Sequence, residues 1–202
     1  VTQRPDAVWA ELAPSGRLRA ALNYANTLLI ATRGPEPTGV APDLARELAK
    51  RAGASVEFIG YANAGLAADA AATGAWDVAF IGAEPQRAGE ITFSPAYVEI
   101  EASYLVPAGS PLLQIEDVDR DGVHVATAAR AAYTLFLQRT LRRAALVEAD
   151  GLPAAFAAPL RVQLRAQRLQ FGDIDLLDIG EVRDPALGLL HLLCDLAAQP
   201  DD

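Results

Sequence analysis

Arg87 is the residue whose type and setting most suggest chemistry. A guanidinium presents a planar fork of N–H donors that matches a carboxylate with two parallel hydrogen bonds. Arg87 lies just beyond an apolar run at 76–81. Glu84 and Glu90 flank it, so a solvated arginine paired with one of them is the competing reading. Glu84 is also the one carboxyl placed to act as a general acid or base beside it. Arg130 sits between an apolar run at 123–127 and a helical pattern. It either adds a second charge to a cleft or points to water. Asn23, Tyr24 and Asn26 follow the run 18–22. Their amide and phenol groups suit polar ligand atoms, or equally turns and caps. Tyr61 follows the run 55–59. It could stack over an aliphatic or cationic ligand, or pack at a rim.

Other chemistries find less support. His124 and His191 are far apart and have no companion at ligand spacing. Cys194 is the single cysteine, so no intrachain disulfide forms. It shares an apolar stretch with His191 and reads as a buried, inert thiol. No Gly-x-Ser-x-Gly, phosphate-binding glycine loop or paired metal carboxylates occur. No cofactor and no metal are expected.

The elements that must position these residues emerge from periodicity. The runs 18–22, 55–59 and 76–81 read as strands. Between them lies a turn-rich loop, Thr32-Arg33-Gly34-Pro35-Glu36-Pro37-Thr38-Gly39, and a helix with Leu44 and Leu48 on one face, closed by Gly53. An Ala-rich helix capped by Asn63 reaches Gly74. Two successive strand–helix–strand units imply a parallel sheet with crossover helices. Ligands on such sheets bind beyond the carboxyl ends of the strands, where Asn23, Tyr24, Asn26, Tyr61 and Arg87 fall. Further on, 97–106 reads as an extended crossing segment, 123–127 as a strand, and 131–143 as a helix with Tyr133, Phe136, Leu137 and Leu141 on one face. A strand is expected at 144–147, a helix over 152–169 interrupted by Pro159, a strand at 174–179 and a helix over 186–198.

The 202 residues suffice for one large domain or two small lobes. With 51% apolar and 21% charged residues the composition is that of a globular chain. A net charge of −9 and the lack of a basic run argue against nucleic-acid binding. No stretch reaches the roughly 20 apolar residues of a membrane span. The opening Val1-Thr2-Gln3-Arg4-Pro5 has no apolar leader, as expected of a trimmed mature chain.

Several segments together resemble one family. Gly16-Arg17-Leu18-Arg19-Ala20-Ala21, then Gly39-Val40 and Asp43-Leu44-Ala45-Arg46-Glu47-Leu48, resemble the opening of the bacterial extracellular solute-binding proteins, family 3. Gly74-Ala75-Trp76-Asp77-Val78 is similar to the family's strand before the binding loop. Glu84-Pro85-Gln86-Arg87, with Glu90-Ile91, Phe93-Ser94 and Tyr97, resembles its "T-P-x-R-x-x-x-I-x-F-S-x-P-Y" stretch. Leu105-Val106 and residues 115–118 resemble the family's crossing strand and its "I-x-D-L" turn. The resemblance implies an α/β, two-lobed, type II periplasmic-binding architecture with parallel-rich sheets flanked by helices. The lobes would span 1–102 and 103–182, with 183–202 returning as a helix onto the first. It implies a monomeric periplasmic protein that closes on a small solute and reaches the membrane only through an ABC transporter permease. Arg87 falls on the arginine that holds an α-carboxylate in the amino-acid binders.

The departures concern the ligand. Phe80-Ile81-Gly82-Ala83 replaces hydroxyl residues usual before that arginine, and Glu84 stands where Thr is common. Ala128-Ala129-Arg130-Ala131 replaces a "G-x-G-S/T" turn. A more anionic or more apolar solute than an ordinary amino acid is as well matched. No family return segment is recognisable after Ala149, and Asp173, Asp175 and Asp178 suit an amino-group ligand by type only. Alongside a non-enzymatic transport role stand a dehydratase-like enzyme for cyclic carboxylates, using Glu84, and a periplasmic sensor or accessory domain linked to a redox gene cluster.

Overall fold

Short apolar runs alternating with polar helical stretches fold into two α/β units, Val1–Gly82 and Ala83–Asp202. The computed structural model describes residues 7–157, 162–170 and 187–192.

In the first unit α1 (Ala7–Leu12) leads to β1 (Arg17–Asn23), α2 (Val40–Arg51), β2 (Ser55–Tyr61), α3 (Ala64–Asp69), a 3-10 turn at Ala70–Thr73, and β3 (Val78–Phe80). The sheet order is β2-β1-β3 and both pairings are parallel, as the two strand–helix–strand units require. Leu18, Ala20, Ala21 and Leu22 of central β1 are all fully buried. Consecutive burial, not alternation, marks a strand covered on both faces.

The buried stripe of α2 is Ala41, Ala45 and Ala49, not the expected Leu44 and Leu48. Small side chains one turn apart let the helix backbone sit close to β1. Leu48 instead packs at the flank with Trp9, Leu12 and Val56. Asp43 in the first turn and Lys50 and Arg51 in the last complement the helix dipole. Gly53 comes next in the left-handed region, as expected. Asn63 caps α3, its Oδ1 accepting from the Leu66 N–H at 2.9 Å. The strand expected over 76–81 shortens to β3. The Trp76 indole donates to the Ala67 carbonyl at 2.8 Å, which draws it out of the strand. Arg19 grips Asp77 through its backbone N–H at 2.8 Å, Nε at 3.1 Å and Nη2 at 2.6 Å.

The second unit contains a 3-10 turn at Pro85–Arg87, β4 (Glu99–Pro107), β5 (His124–Ala128), α4 (Ala132–Thr140), β6 (Ala145–Ala149), α5 (Gly151–Ala157), β7 (Val162–Gln170) and β8 (Leu187–Leu192). Its sheet order is β6-β5-β7-β4-β8. β5 pairs in parallel with β6 and β7, and β4 runs antiparallel to β7 and β8. Ala102, Tyr104 and Val106 of β4 form a core with Val125 and Leu137, and Tyr133, Phe136 and Leu141 pack against it. That is the α4 face read from the sequence. The helix ends at Thr140, earlier than expected, where the Asp119 carboxylate takes up the N–H groups of Arg142, Arg143 and Ala144.

Parts of two expected helices are strands. Of the helix expected over 152–169, residues 152–157 are helical in α5 but 162–169 belong to β7, and of that expected over 186–198, residues 187–192 form β8 against β4. Gln, Leu, Arg and Ala are good helix formers, but sheet pairing overrides their propensity. In β7 the apolar spacing 162, 164, 166 slips by one before Leu169. The register shows why: Glu101 pairs with Arg168 and Ala102 with Ala166, so Gln167 is a bulge residue. His191 therefore lies on a strand, as His124 does. Cys194, the strand expected at 174–179 and Asp173, Asp175 and Asp178 lie outside the described residues.

Candidate functional site

The second unit brings Glu84, Arg87 and Arg130 together. Pro85, at the first position of its 3-10 turn, sets the backbone that holds Glu84 and Arg87 on one short bend. The Arg87 N–H donates to the Glu84 carbonyl at 2.8 Å. Both side chains are buried, with Arg87 7% and Glu84 3% exposed, which excludes the solvated-arginine reading. The Arg87 Nη2 donates to the Arg130 carbonyl at 3.1 Å. Arg130 adopts φ 60, a left-handed conformation that costs a residue with a Cβ about 1–2 kcal/mol. It occupies the turn between β5 and α4.

Arg139 of α4 completes the cluster and was not singled out by the sequence. It pairs with Glu84 Oε2 and donates to the Leu135 carbonyl at 3.2 Å. Glu84 Oε1 is buried and has no hydrogen-bond partner among the described residues. Burial pushes the Glu84 carboxyl above its ordinary value, with Arg139 and then Arg87 opposing the rise. Burial likewise lowers Arg87, Glu84 opposing and the Arg130 charge reinforcing the shift. A guanidinium still stays protonated at neutral pH. Glu84 thus sits between two arginines with a third cation near Arg87. Chemically the arrangement suits charge-assisted hydrogen bonding to an anion.

The first unit gathers its own candidates at the carboxyl ends of β1 and β2. Asn23 and Tyr61 are register partners, and the Tyr24 N–H donates to the Tyr61 carbonyl at 2.9 Å. Asn23 Oδ1 accepts from the Ala25 N–H at 3.1 Å, and Asn26 Oδ1 from those of Leu28 and Leu29 at 3.2 and 3.3 Å. Those two carboxamide oxygens build the turn. The Tyr24 ring lies so close to Gly60 that an added Cβ there would overlap it. The Arg33 guanidinium stands 5.3 Å from the centre of the same ring. Arg33 and Arg139 carry no distinguishing local signal, because each meets its partner through a loop or helix that only tertiary structure folds back.

The two-unit α/β chain has counterparts among known proteins. The family model of the bacterial extracellular solute-binding proteins, family 3, matches residues 21–182. The chain belongs to that family. As a family 3 protein it has a solute-binding role. Comparison with curated protein sequences finds no match. Solved structures share the fold. The ancestral amino acid-binding protein AncCDT-1, described as a precursor of cyclohexadienyl dehydratase, is 22% identical, with a TM-score of 0.64 over 79% of this chain and 74% of that one. The arginine-bound form of truncated ArgBP from T. maritima is 18% identical, with a TM-score of 0.60 over 78% and 76%. An amino acid ABC transporter substrate-binding protein from Streptococcus pneumoniae, bound to L-arginine, is 16% identical, with a TM-score of 0.62 over 80% and 71%. The family 3 protein therefore has the two-lobed α/β, type II periplasmic-binding fold.

Proposed function

We propose that this family 3 protein captures a small, polar, carboxylate-bearing solute in the periplasm by lobe closure and passes it, as a monomer, to the permease of an ABC transporter. The observation that carries this reading is the buried Arg87, held on its 3-10 turn against the Arg130 carbonyl. A desolvated guanidinium binds a planar anion more strongly than an exposed one, because the local dielectric is low. Similar structures bound to arginine support an α-carboxylate as the recognised group.

Glu84 is the residue an enzyme would need. Its 3% exposure and its ion pair with Arg139 favour a fixed counter-ion over a group that exchanges protons with a substrate. No turnover of cyclic carboxylates is expected.

Isothermal titration against amino acids, organic acids and polyamines tests the proposal. At least one carboxylate is expected to bind. Arg87→Ala should weaken it by about 30-fold or more, the usual cost of truncating one partner of a buried charge pair. An empty panel, or equal affinity for the Arg87→Ala protein, would overturn the proposal.

A further inference from the structure

We infer that Arg33 sets the charge preference of the solute site, occupying a face of the Tyr24 ring and excluding cationic amino acids. The inference rests on the proposed binding of a carboxylate-bearing solute.

Tyr24 directly succeeds β1, at the end of the sheet where ligands of α/β proteins gather. A half-buried phenol ring there, packed against Gly60, can still offer a face to a cation. In this chain the platform already carries one. The Arg33 guanidinium lies 5.3 Å from the ring centre, and its Nη2 donates to the Tyr24 carbonyl at 2.7 Å. The two contacts fix both the height and the direction of the side chain over the ring.

The loop that projects Arg33 is closed at its base. Thr32 and Thr38 form an isolated antiparallel bridge, with their hydroxyls 2.8 Å apart and the Thr38 N–H donating to Thr32 Oγ1 at 3.0 Å. The Ala31 N–H donates to the Thr38 carbonyl at 2.8 Å. Pro35 and Pro37 restrict the span between, and Arg46 Nη2 ties the Pro37 carbonyl at 2.7 Å. Arg46 also pairs with Asp43 and Glu36, which offset its charge. The described partners of Arg33 both belong to Tyr24 and carry no charge. Its positive field therefore acts on whatever reaches the ring. A second unit charge within about 4 Å at a protein surface costs tenfold or more in affinity. A cationic amino acid would lose the aromatic face and meet that repulsion. A neutral or acidic one would not.

The test is isothermal titration of the full chain and of Arg33→Ala, at low ionic strength, with L-glutamate, L-leucine, L-arginine and L-lysine. The unaltered protein is expected to bind glutamate or leucine at least tenfold more tightly than arginine or lysine. Arg33→Ala should shift that ratio about tenfold toward the cations. Arg33→Lys, which keeps the charge, should preserve the bias. A purely structural role for Arg33 would lower thermal stability and all affinities together, leaving the ratio fixed. Equal or tighter binding of arginine by the unaltered protein overturns the inference alone, as does an unchanged ratio in Arg33→Ala. Binding of none of the four also overturns it. If the wider carboxylate panel is then empty too, the reading beneath it fails as well.

Discussion

Arg130 holds a left-handed backbone that a glycine would adopt without strain, yet it carries a long cationic side chain. Such strain persists where the surroundings over-determine it, and here the Arg130 carbonyl accepts the Arg87 guanidinium. The consequence is testable by size at Cβ. Arg130→Gly is expected to hold or raise the melting temperature, relieving about 1 kcal/mol of strain. Arg130→Val, branched at Cβ, should cost about 1–3 kcal/mol. Equal melting temperatures for the two variants would show that the backbone there is not strained. Glu84 is constrained in a different way. Removing Arg139 would leave a buried carboxylate with less compensation, which is why the pair is better viewed as a local anchor than as a source of net stability.

At the scale of elements, the junction into α2 tolerates no added side chain without a shift of backbone. Gly39 has φ 123, and a Cβ there would lie 2.6 Å from the Leu29 carbonyl oxygen and 2.8 Å from the Ala31 nitrogen. Both obstacles are backbone, so neither can rotate away. Gly39→Ala is expected to destabilise the protein by about 1–3 kcal/mol, seen as a lower denaturation midpoint in urea with an unchanged slope. A midpoint equal to that of the unaltered protein would mean the loop relaxes freely. The same junction fixes the loop that carries Arg33, so selectivity and stability should fall together there, whereas at Arg33 itself they separate.

For the whole chain, pH dependence is set by carboxyls shifted in opposite directions. Burial opposes the charged form of Asp77, but the bonds from Arg19 outweigh it and hold the group below its ordinary 3.8. Backbone N–H bonds, from Leu113 to Asp117 and from Ala144 to Asp119, lower those two groups as well. A lowered folded pKa means the unfolded chain binds protons first, so this stability is present above about pH 3.8 and is lost on further acidification. Glu84 acts with the reverse sign. Its raised value gives stability that is full below 4.5 and lost as pH rises through the folded value. Glu47, lowered chiefly by its hydrogen bond from Arg51, joins them, so among the described residues four lowered carboxyls against one raised predict a melting temperature that falls on acidification below about pH 4. Asp77→Asn should flatten that fall and lower the melting temperature at pH 7, since it removes the charge from the bonds that Arg19 makes to this side chain. A pH profile identical to that of the unaltered protein would exclude Asp77 as a contributor.

The sequence by itself determined the strand–helix–strand order of the first unit, the apolar face of α4, the Asn63 cap and the nearness of Glu84 to Arg87. All of these rest on local signals: periodicity, cap chemistry and spacing within a few residues. The family that its segments resemble is the one whose model matches residues 21–182. Tertiary structure alone decided the rest. β7 and β8 are strands because β4 and β5 offer them hydrogen-bonding edges, and no local propensity encodes an edge. In α2 the buried positions include Ala41, Ala45 and Ala49, while the more apolar Leu44 and Leu48 are only partly buried, an orientation that hydrophobicity does not encode. Arg139 reaches Glu84 across 55 positions, and Arg33 reaches Tyr24 only because a threonine bridge folds its loop back. A charge declares its type in sequence, but its partner, and so its function, is fixed only by the geometry that brings the two together.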